Sequence, residues 1–317
     1  MNAVLIMCHK NPEQVNRLID KCLCKNTKVF LHCDSKMGDV CCFEREGVYL
    51  TDRRIHGELD TRSLVDIAML MIQKAKQVET EENIHFDYYL LLSGQDYLIK
   101  PMRWINEQLK KAYPTPFIDC TPYSTDNWLY HKFCSSKRLL GFNKWVSGHI
   151  PKKSALYPVR ALLRIVGVVW KKALSVFHIT DRHKLKGVDL YGGSAWWILP
   201  DKAIDYLFNN FKSELSEKLL ATFTPEETYF QTMLMQSPLK ELVAVNPTDM
   251  VAQNCKTWAY FFDENKSFKG HPYIFTKDEY QKLITSDRWI ARKFDITVCS
   301  EIFDLLDKYL IEFEEIK

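Results

Sequence analysis

Two adjacent acids, Glu226 and Glu227, lie in the run Thr224-Pro225-Glu226-Glu227-Thr228-Tyr229-Phe230. A carboxylate held in place there could take a proton from a hydroxyl group, which is general-base chemistry. The neighbouring residues specify a helix start. Thr224 is a good N-cap, Pro225 suits the first helical position, and the acids match the positive end of the helix dipole. Glu227 also falls three residues after Thr224, the spacing of a capping box, so the same residues could serve only as a well-made cap. Opposite charge is supplied by Lys269-Gly270-His271-Pro272 and by Arg288-Trp289-Ile290-Ala291-Arg292-Lys293-Phe294-Asp295. Clustered lysine and arginine suit phosphate oxygens, although such a run is equally at home on a solvated surface.

No Asp-x-Asp occurs in the chain, and the nearest acid pair is Glu58-Leu59-Asp60. Metal-dependent nucleotide-sugar enzymes usually hold a divalent ion against the diphosphate with a carboxylate pair. Without one, basic side chains must stabilise the leaving group. The sequence also has no Gly-x-x-x-x-Gly-Lys-Ser/Thr loop, which disfavours a phosphate-directed enzyme of the kinase type.

The elements that must position these groups follow from periodicity. Apolar runs at Ala3–Met7, Lys28–His32, Gly47–Leu50 and Tyr88–Leu92 read as strands, and Pro12–Cys22, Leu59–Gln77 and Met102–Ala112 as helices. This alternation predicts an α/β fold with a mostly parallel sheet and helices on both faces. Ligands of such sheets bind beyond the carboxyl ends of the strands. His9-Lys10, Asp34-Ser35-Lys36 and Ser93-Gly94-Gln95-Asp96 would all lie there, although Asp96 could simply organise its turn, and His9 and His32 could be structural. In the less regular second half, Gly192–Leu199 reads as a turn entering a buried strand. Lys202–Phe211, Pro225–Gln236 and Ser300–Phe313 read as helices. Trp196 and Trp197 would then point to opposite faces, with core packing the default for both.

Composition narrows the class. The chain has 317 residues, 46% hydrophobic and 26% charged, with a net charge of +3, which argues against a general nucleic-acid binder. Its ten cysteines follow no metal-ligand spacing and read as reduced thiols of a cytosolic protein. No signal peptide or transmembrane stretch is evident. The segment Lys152–His183 stands apart. It carries Arg160, Arg164, Lys171 and Lys172 among many apolar residues, with no acid before Asp181. It could lie on an anionic membrane surface or form a solvated basic face over the core.

Several motifs in sequence order carry a resemblance. LLSGQDYLIKP (Leu91–Pro101), GGSAWWIL (Gly192–Leu199), TPEETYFQTML (Thr224–Leu234) and ARKFD (Ala291–Asp295) are similar to glycosyltransferase family 14. CHKNPEQVNRLI (Cys8–Ile19) and LHCDSK (Leu31–Lys36) are similar too. That family comprises the branching β-1,6-N-acetylglucosaminyltransferases and their xylosyltransferase relatives. The stretch from about Tyr123 to Lys186 does not align. The resemblance implies a GT-A type nucleotide-sugar-binding fold over one domain, 1–317, with a nucleotide-binding half at 1–120 and an acceptor and catalytic half at 121–317. It implies an inverting reaction without a metal or other cofactor.

By the same resemblance Glu227 is the catalytic base. Lys293, with Arg292 beside it, and Lys269, where the family has arginine, contact the diphosphate. His9, Asp34 and Arg62 line the nucleotide pocket, while Asp96, Glu226, Trp258 and Tyr260 fall on the substrate side. Trp258 and Tyr260 alternate along a strand and could equally be core. The expected partners are a UDP-sugar donor, with UDP-N-acetylglucosamine first and UDP-xylose or UDP-galactose as alternatives, and a glycan or lipid-linked oligosaccharide acceptor. A bacterial enzyme of surface polysaccharide synthesis, cytoplasmic and at the inner face of the plasma membrane, fits the cysteines and the basic segment. A non-catalytic glycan-binding protein on the same fold is the rival.

Overall fold

β1 (Asn2–Cys8) is buried on both faces and lies inside a six-stranded sheet. Its neighbours are β2 (Thr27–Cys33) and β4 (Tyr88–Ser93), both parallel to it, and β3 (Val48–Leu50) runs parallel beyond β2. β9 (Trp197–Pro200) pairs antiparallel with β4, and β6 (Phe117–Ile118) closes that edge, giving the order β3-β2-β1-β4-β9-β6. The computed structural model describes residues 1–123, 185, 187–222, 224–246, 258–259 and 272–316, and eight positions between 158 and 169.

Residues alternate across the pleat, so each face of the sheet builds its own core. Val4, Ile6 and Cys8 of β1 face one cluster, packed by α1 (Pro12–Cys22), α3 (Met102–Ala112) and the C-terminal helix Glu301–Ile316. Ala3 and Leu5 face the other, packed by α2 (Ser63–Glu82), α4 (Asp201–Asn209), α5 (Glu214–Leu220) and α6 (Tyr229–Met235). This is a mixed α/β architecture with a mainly parallel central sheet. The strand order turns back at β1, because β2 and β3 lie on one side of it and β4 on the other. The crevice beyond the carboxyl ends of β1 and β4 is where such a sheet offers a binding site.

A second, three-stranded sheet sits at that crevice. In it β5 (Asp96–Leu98) pairs antiparallel with β11 (Ile290–Arg292), and β11 pairs parallel with β10 (Trp258–Ala259). A two-stranded ribbon, β7 (Thr121–Pro122) with β8 (Tyr191–Gly192), lies nearby in sequence to the other edge strands.

Three expected elements change. The helix expected from Leu59 begins at Ser63, because the Glu58 and Ser63 N–H groups donate to the Ser63 and Thr61 hydroxyls and Asp60 adopts a left-handed φ of 62°. The strand expected over Gly192–Leu199 starts at Trp197, and Gly192 belongs to β8 instead. The helix expected over Pro225–Gln236 is broken. Pro225–Glu227 form a 3-10 turn, Thr228 has φ −132°, and only Tyr229–Met235 are α-helical. Thr224 is left-handed with φ 49° and its hydroxyl caps nothing, so the capping box suggested by its spacing from Glu227 does not form. The box that does form joins Thr276 and Glu279, where the Glu279 carboxylate accepts from the Thr276 N–H at 2.8 Å.

Candidate functional site

The basic side of the crevice is assembled by pairing. β5 and β11 bring Asp96 opposite Arg292 in register, and Arg292 Nη1 donates to Asp96 Oδ1 at 2.7 Å. Asp96 is fully buried, and its second oxygen accepts from the Ser93 N–H at 2.7 Å. The Arg292 guanidinium lies over the Trp196 ring, 4.4 Å from its centroid. Such a stack contributes on the order of 0.5–2 kcal/mol. Lys10 Nζ pairs with Asp295 Oδ2 at 2.5 Å, and Asn11 Nδ2 donates to Asp295 Oδ1 at 2.9 Å. Burial works against charge on Asp295, but the bonds from Lys10 and Thr297 outweigh it and hold its pKa at about 2.

One side chain ties these pieces together. Gln14, fully buried in the first turn of α1, donates to the Gly94 carbonyl at 2.7 Å and the Phe294 carbonyl at 3.2 Å. Its own oxygen accepts from the Ile296 N–H at 2.8 Å. The α1 start, the β4–β5 turn and the Arg292–Asp295 run are therefore one clamped unit.

Lys293 stands out within it. Among the described residues no carboxylate pairs with its ammonium group. Burial, then the charges of Arg292 and Lys10, push its pKa below the ordinary lysine value. His9 is lowered for the same reasons: burial first, then Lys10 and Lys293. Four basic side chains, His9, Lys10, Arg292 and Lys293, thus feel one another at the carboxyl end of β1. A concentration of like charge at the carboxyl end of a strand is suited to an anion with several oxygens, such as a diphosphate.

The acidic side is different. Glu226 is buried, with one oxygen accepting from the Asp60 N–H at 3.1 Å. Burial raises its pKa to about 7; hydrogen bonds to backbone N–H groups offset part of that, and the charges of Glu227 and Asp60 add to it. Its other oxygen finds no hydrogen-bond partner among the described residues. The same holds for the Thr224 and Thr228 hydroxyls and the Gln231 side-chain oxygen. Glu227 beside it is half-buried, and its charge, after burial itself, pushes the Tyr123 phenol above its ordinary range.

The span Gly193–Trp196 joins the two sides. The Gly193 N–H donates to the Glu227 carbonyl at 2.9 Å, and Gln231 Nε2 donates to the Ser194 carbonyl at 2.8 Å. Three residues on, Trp196 carries the Arg292 guanidinium. Gly193 is required by close approach, since a Cβ there would overlap the Asp119 backbone carbonyl, and a Cβ at Gly192 would meet the Tyr123 phenol. Of the two tryptophans, Trp197 is fully buried against Phe230, while Trp196 is the one that reaches the site.

Asp34 is turned to its own loop. Its oxygens accept from the Lys36 N–H at 2.8 Å and the Gly57 N–H at 2.8 Å, and His56 Nδ1 lies 2.8 Å from Oδ2. Burial would raise its pKa, but these bonds lower it overall. Arg62 pairs with Asp66 at 3.0 Å and Glu217 at 3.1 Å. His32 is structural: its Nε2 accepts from the Ile55 N–H at 3.1 Å, and burial lowers its pKa to about 4. Trp258 begins β10, paired in register with Ile290 of β11. Tyr260 and Lys269 lie outside the described residues, as do Arg160, Arg164, Lys171 and Lys172. Among the described residues no group of three or more His, Cys, Asp or Glu side chains is arranged to hold a metal ion. The eight described cysteines are free thiols.

Gln14, Asp295 and Tyr123 adjoin this region, and the sequence motifs assign them no role. Gln14 leaves one signal, a polar residue on the same helix stripe as Val15, Leu18, Ile19 and Cys22.

Known proteins resemble this chain at a distance. It is 22% identical over 292 residues to xylosyltransferase 2 of Rattus norvegicus, covering 78% of this chain and 34% of that protein. It is 26% identical over 154 residues to xylosyltransferase 2 of Canis lupus familiaris, covering 43% of this chain and 17% of that protein. It is 23% identical over 177 residues to beta-glucuronosyltransferase GlcAT14B of Arabidopsis thaliana, covering 55% of this chain and 38% of that protein. The relatives are named glycosyltransferases, and their likeness supports a glycosyltransferase enzyme. The chain spans about a third or less of the length of the xylosyltransferases it matches. No family model matches it.

Proposed function

We propose that the chain is an inverting, metal-independent glycosyltransferase of the family 14 type, built on a GT-A nucleotide-sugar fold. The observation that carries this reading is the Gly193–Trp196 span. Its Gly193 N–H bonds to the Glu227 backbone carbonyl and its Trp196 ring carries the Arg292 guanidinium, so one short span ties the segment bearing the acid to the segment bearing the basic groups. In the proposed reaction a hydroxyl oxygen of the acceptor glycan attacks the anomeric carbon and its proton passes to the Glu227 carboxylate. The bond from that carbon to the β-phosphate oxygen breaks, and the electron pair leaves with UDP. Lys293, with Arg292 and Lys10 around it, offsets the charge that develops on the leaving oxygens. An ammonium group with no carboxylate partner among the described residues has most to gain from the arriving diphosphate.

UDP-N-acetylglucosamine is the proposed donor and a β-1,6-branched product the proposed outcome, in bacterial surface polysaccharide synthesis in a reducing, cytoplasmic setting. UDP-xylose is the second reading, because several relatives are named xylosyltransferases. A panel of UDP-sugars, incubated with the protein and EDTA while UDP release is followed, tests both. Release from one donor, lost in Lys293→Ala, is the expected result and names the sugar. Release that requires added manganese overturns metal independence. Neither release nor UDP binding overturns the transferase reading in favour of a non-catalytic glycan-binding protein.

A further inference from the structure

Thirteen large apolar side chains are exposed among the described residues, and five of them fall within one eleven-residue span. Val159, Leu162, Ile165, Val166 and Val169 are 45%, 61%, 60%, 46% and 61% exposed. The described residues between 158 and 169 are helical. In sequence the spacing 159, 162, 165, 166 and 169 is helical: at 100° per residue these positions fall within roughly 120°, the width of an apolar stripe that in an ordinary surface helix faces the core. Here the stripe faces outward. The alternative raised by the sequence, a solvated basic face over the core, would lay apolar side chains inward, whereas these five are exposed. Scattered single apolar residues need no explanation, whereas a contiguous face of five marks an interaction surface.

Charge says what covers it. From Asn127 to Thr180 the sequence has ten lysines and arginines and no aspartate or glutamate. The chain has 43 basic and 40 acidic residues in all, so everything outside that segment holds 33 basic against 40 acidic. A soluble polyanion would be matched by the basic residues alone and would leave the apolar stripe in water. A second copy of the chain would place ten positive charges against ten. An anionic bilayer satisfies both features, since apolar side chains enter the acyl boundary while lysine and arginine meet the headgroups. No described helix is long and apolar enough to cross a membrane.

We infer that the face carrying Val159, Leu162, Ile165, Val166 and Val169 docks the protein on an anionic lipid surface. This stands apart from the transferase reading and needs no catalysis to be tested. The test is flotation of the full chain with vesicles of phosphatidylcholine, with and without phosphatidylglycerol. The chain should float with the anionic vesicles and roughly tenfold less with the neutral ones, and salt should weaken the binding. Leu162→Glu/Ile165→Glu/Val169→Glu should cut flotation by about tenfold or more, with circular dichroism unchanged because these side chains are exposed. Should that variant misfold, Leu162→Gln and Val169→Gln singly should each lower flotation by roughly threefold. Unchanged flotation in the apolar variants overturns the inference. So does binding to heparin that matches binding to vesicles and survives the apolar substitutions, which would make this a polyanion site. A dimer that dissociates in the triple variant, without any vesicle binding in the parent chain, assigns the face to a second copy and also overturns it.

Discussion

The two sides of the crevice treat buried polar groups in opposite ways. On the basic side almost every group has its match: Arg292 with Asp96, Lys10 with Asp295, and Gln14 with three backbone partners. On the acidic side, four buried oxygens, on Thr224, Glu226, Thr228 and Gln231, have none among the described residues. Each unmade bond of this kind costs about 1–3 kcal/mol. A matched network is rigid and holds a fixed charge pattern, as a binding site needs. An unmatched cluster is held in place by the surrounding core and stays available to a proton or a hydroxyl group. On the proposed function this contrast is a division of labour, with the basic side binding the donor and the acidic side carrying the chemistry.

The largest effect should come from Glu227→Gln. An amide cannot take the acceptor proton, and turnover should fall by roughly 10²–10⁴-fold while the fold is kept. Steady-state kinetics with the donor identified by UDP release would show it. Unchanged turnover would move the chemistry away from the acidic side.

Asp96→Ala comes next. It removes the fully buried partner of Arg292 and should destabilise the protein by about 3–5 kcal/mol, read from denaturant unfolding. A loss below about 1 kcal/mol would mean that the basic side is not a rigid unit.

Glu226→Gln probes the acidic side through pH. The Glu226 pKa is raised from 4.5 to about 7 in the folded chain, so the unfolded chain releases this proton first as pH rises. Ionising Glu226 in place therefore costs stability. The cost is absent below pH 4.5, grows through the interval up to about 7, and is complete above it. Glutamine mimics the neutral acid. The variant should gain on the parent chain between pH 5 and pH 8, towards about 3 kcal/mol. An equal difference at both pH values would contradict the burial of that charge. Thr228→Val is the smallest of these effects. Deleting a fully buried hydroxyl with no partner among the described residues should leave stability unchanged or raise it by about 1 kcal/mol, whereas a loss above that would show the hydroxyl to be satisfied.

The sheet was legible in the sequence because its strands are uninterrupted apolar runs buried on both faces, as in Val4-Leu5-Ile6 and Tyr89-Leu90-Leu91-Leu92. Two things hid the rest. Leu59 reads as a helical apolar position, yet it is 55% exposed on a loop held by hydroxyl bonds that no periodicity reports. The pairing of Asp96 with Arg292 spans 196 residues and depends on β5 finding β11. Asp96 does organise its own turn through the Ser93 N–H, as its local sequence suggests, but it also holds the arginine. Around Glu227 the residues of a good cap were present, and the backbone broke the helix there instead. Local helix signals gave way at Thr224 and Thr228, whose backbone angles are not helical.

The division of labour is tested most directly by measuring UDP affinity calorimetrically for the parent chain, Glu227→Gln and Lys293→Ala. The account predicts that Glu227→Gln keeps its affinity within about twofold, and that Lys293→Ala loses about tenfold or more as a charged contact to the diphosphate disappears. Equal weakening in both variants, or none in Lys293→Ala, would contradict it.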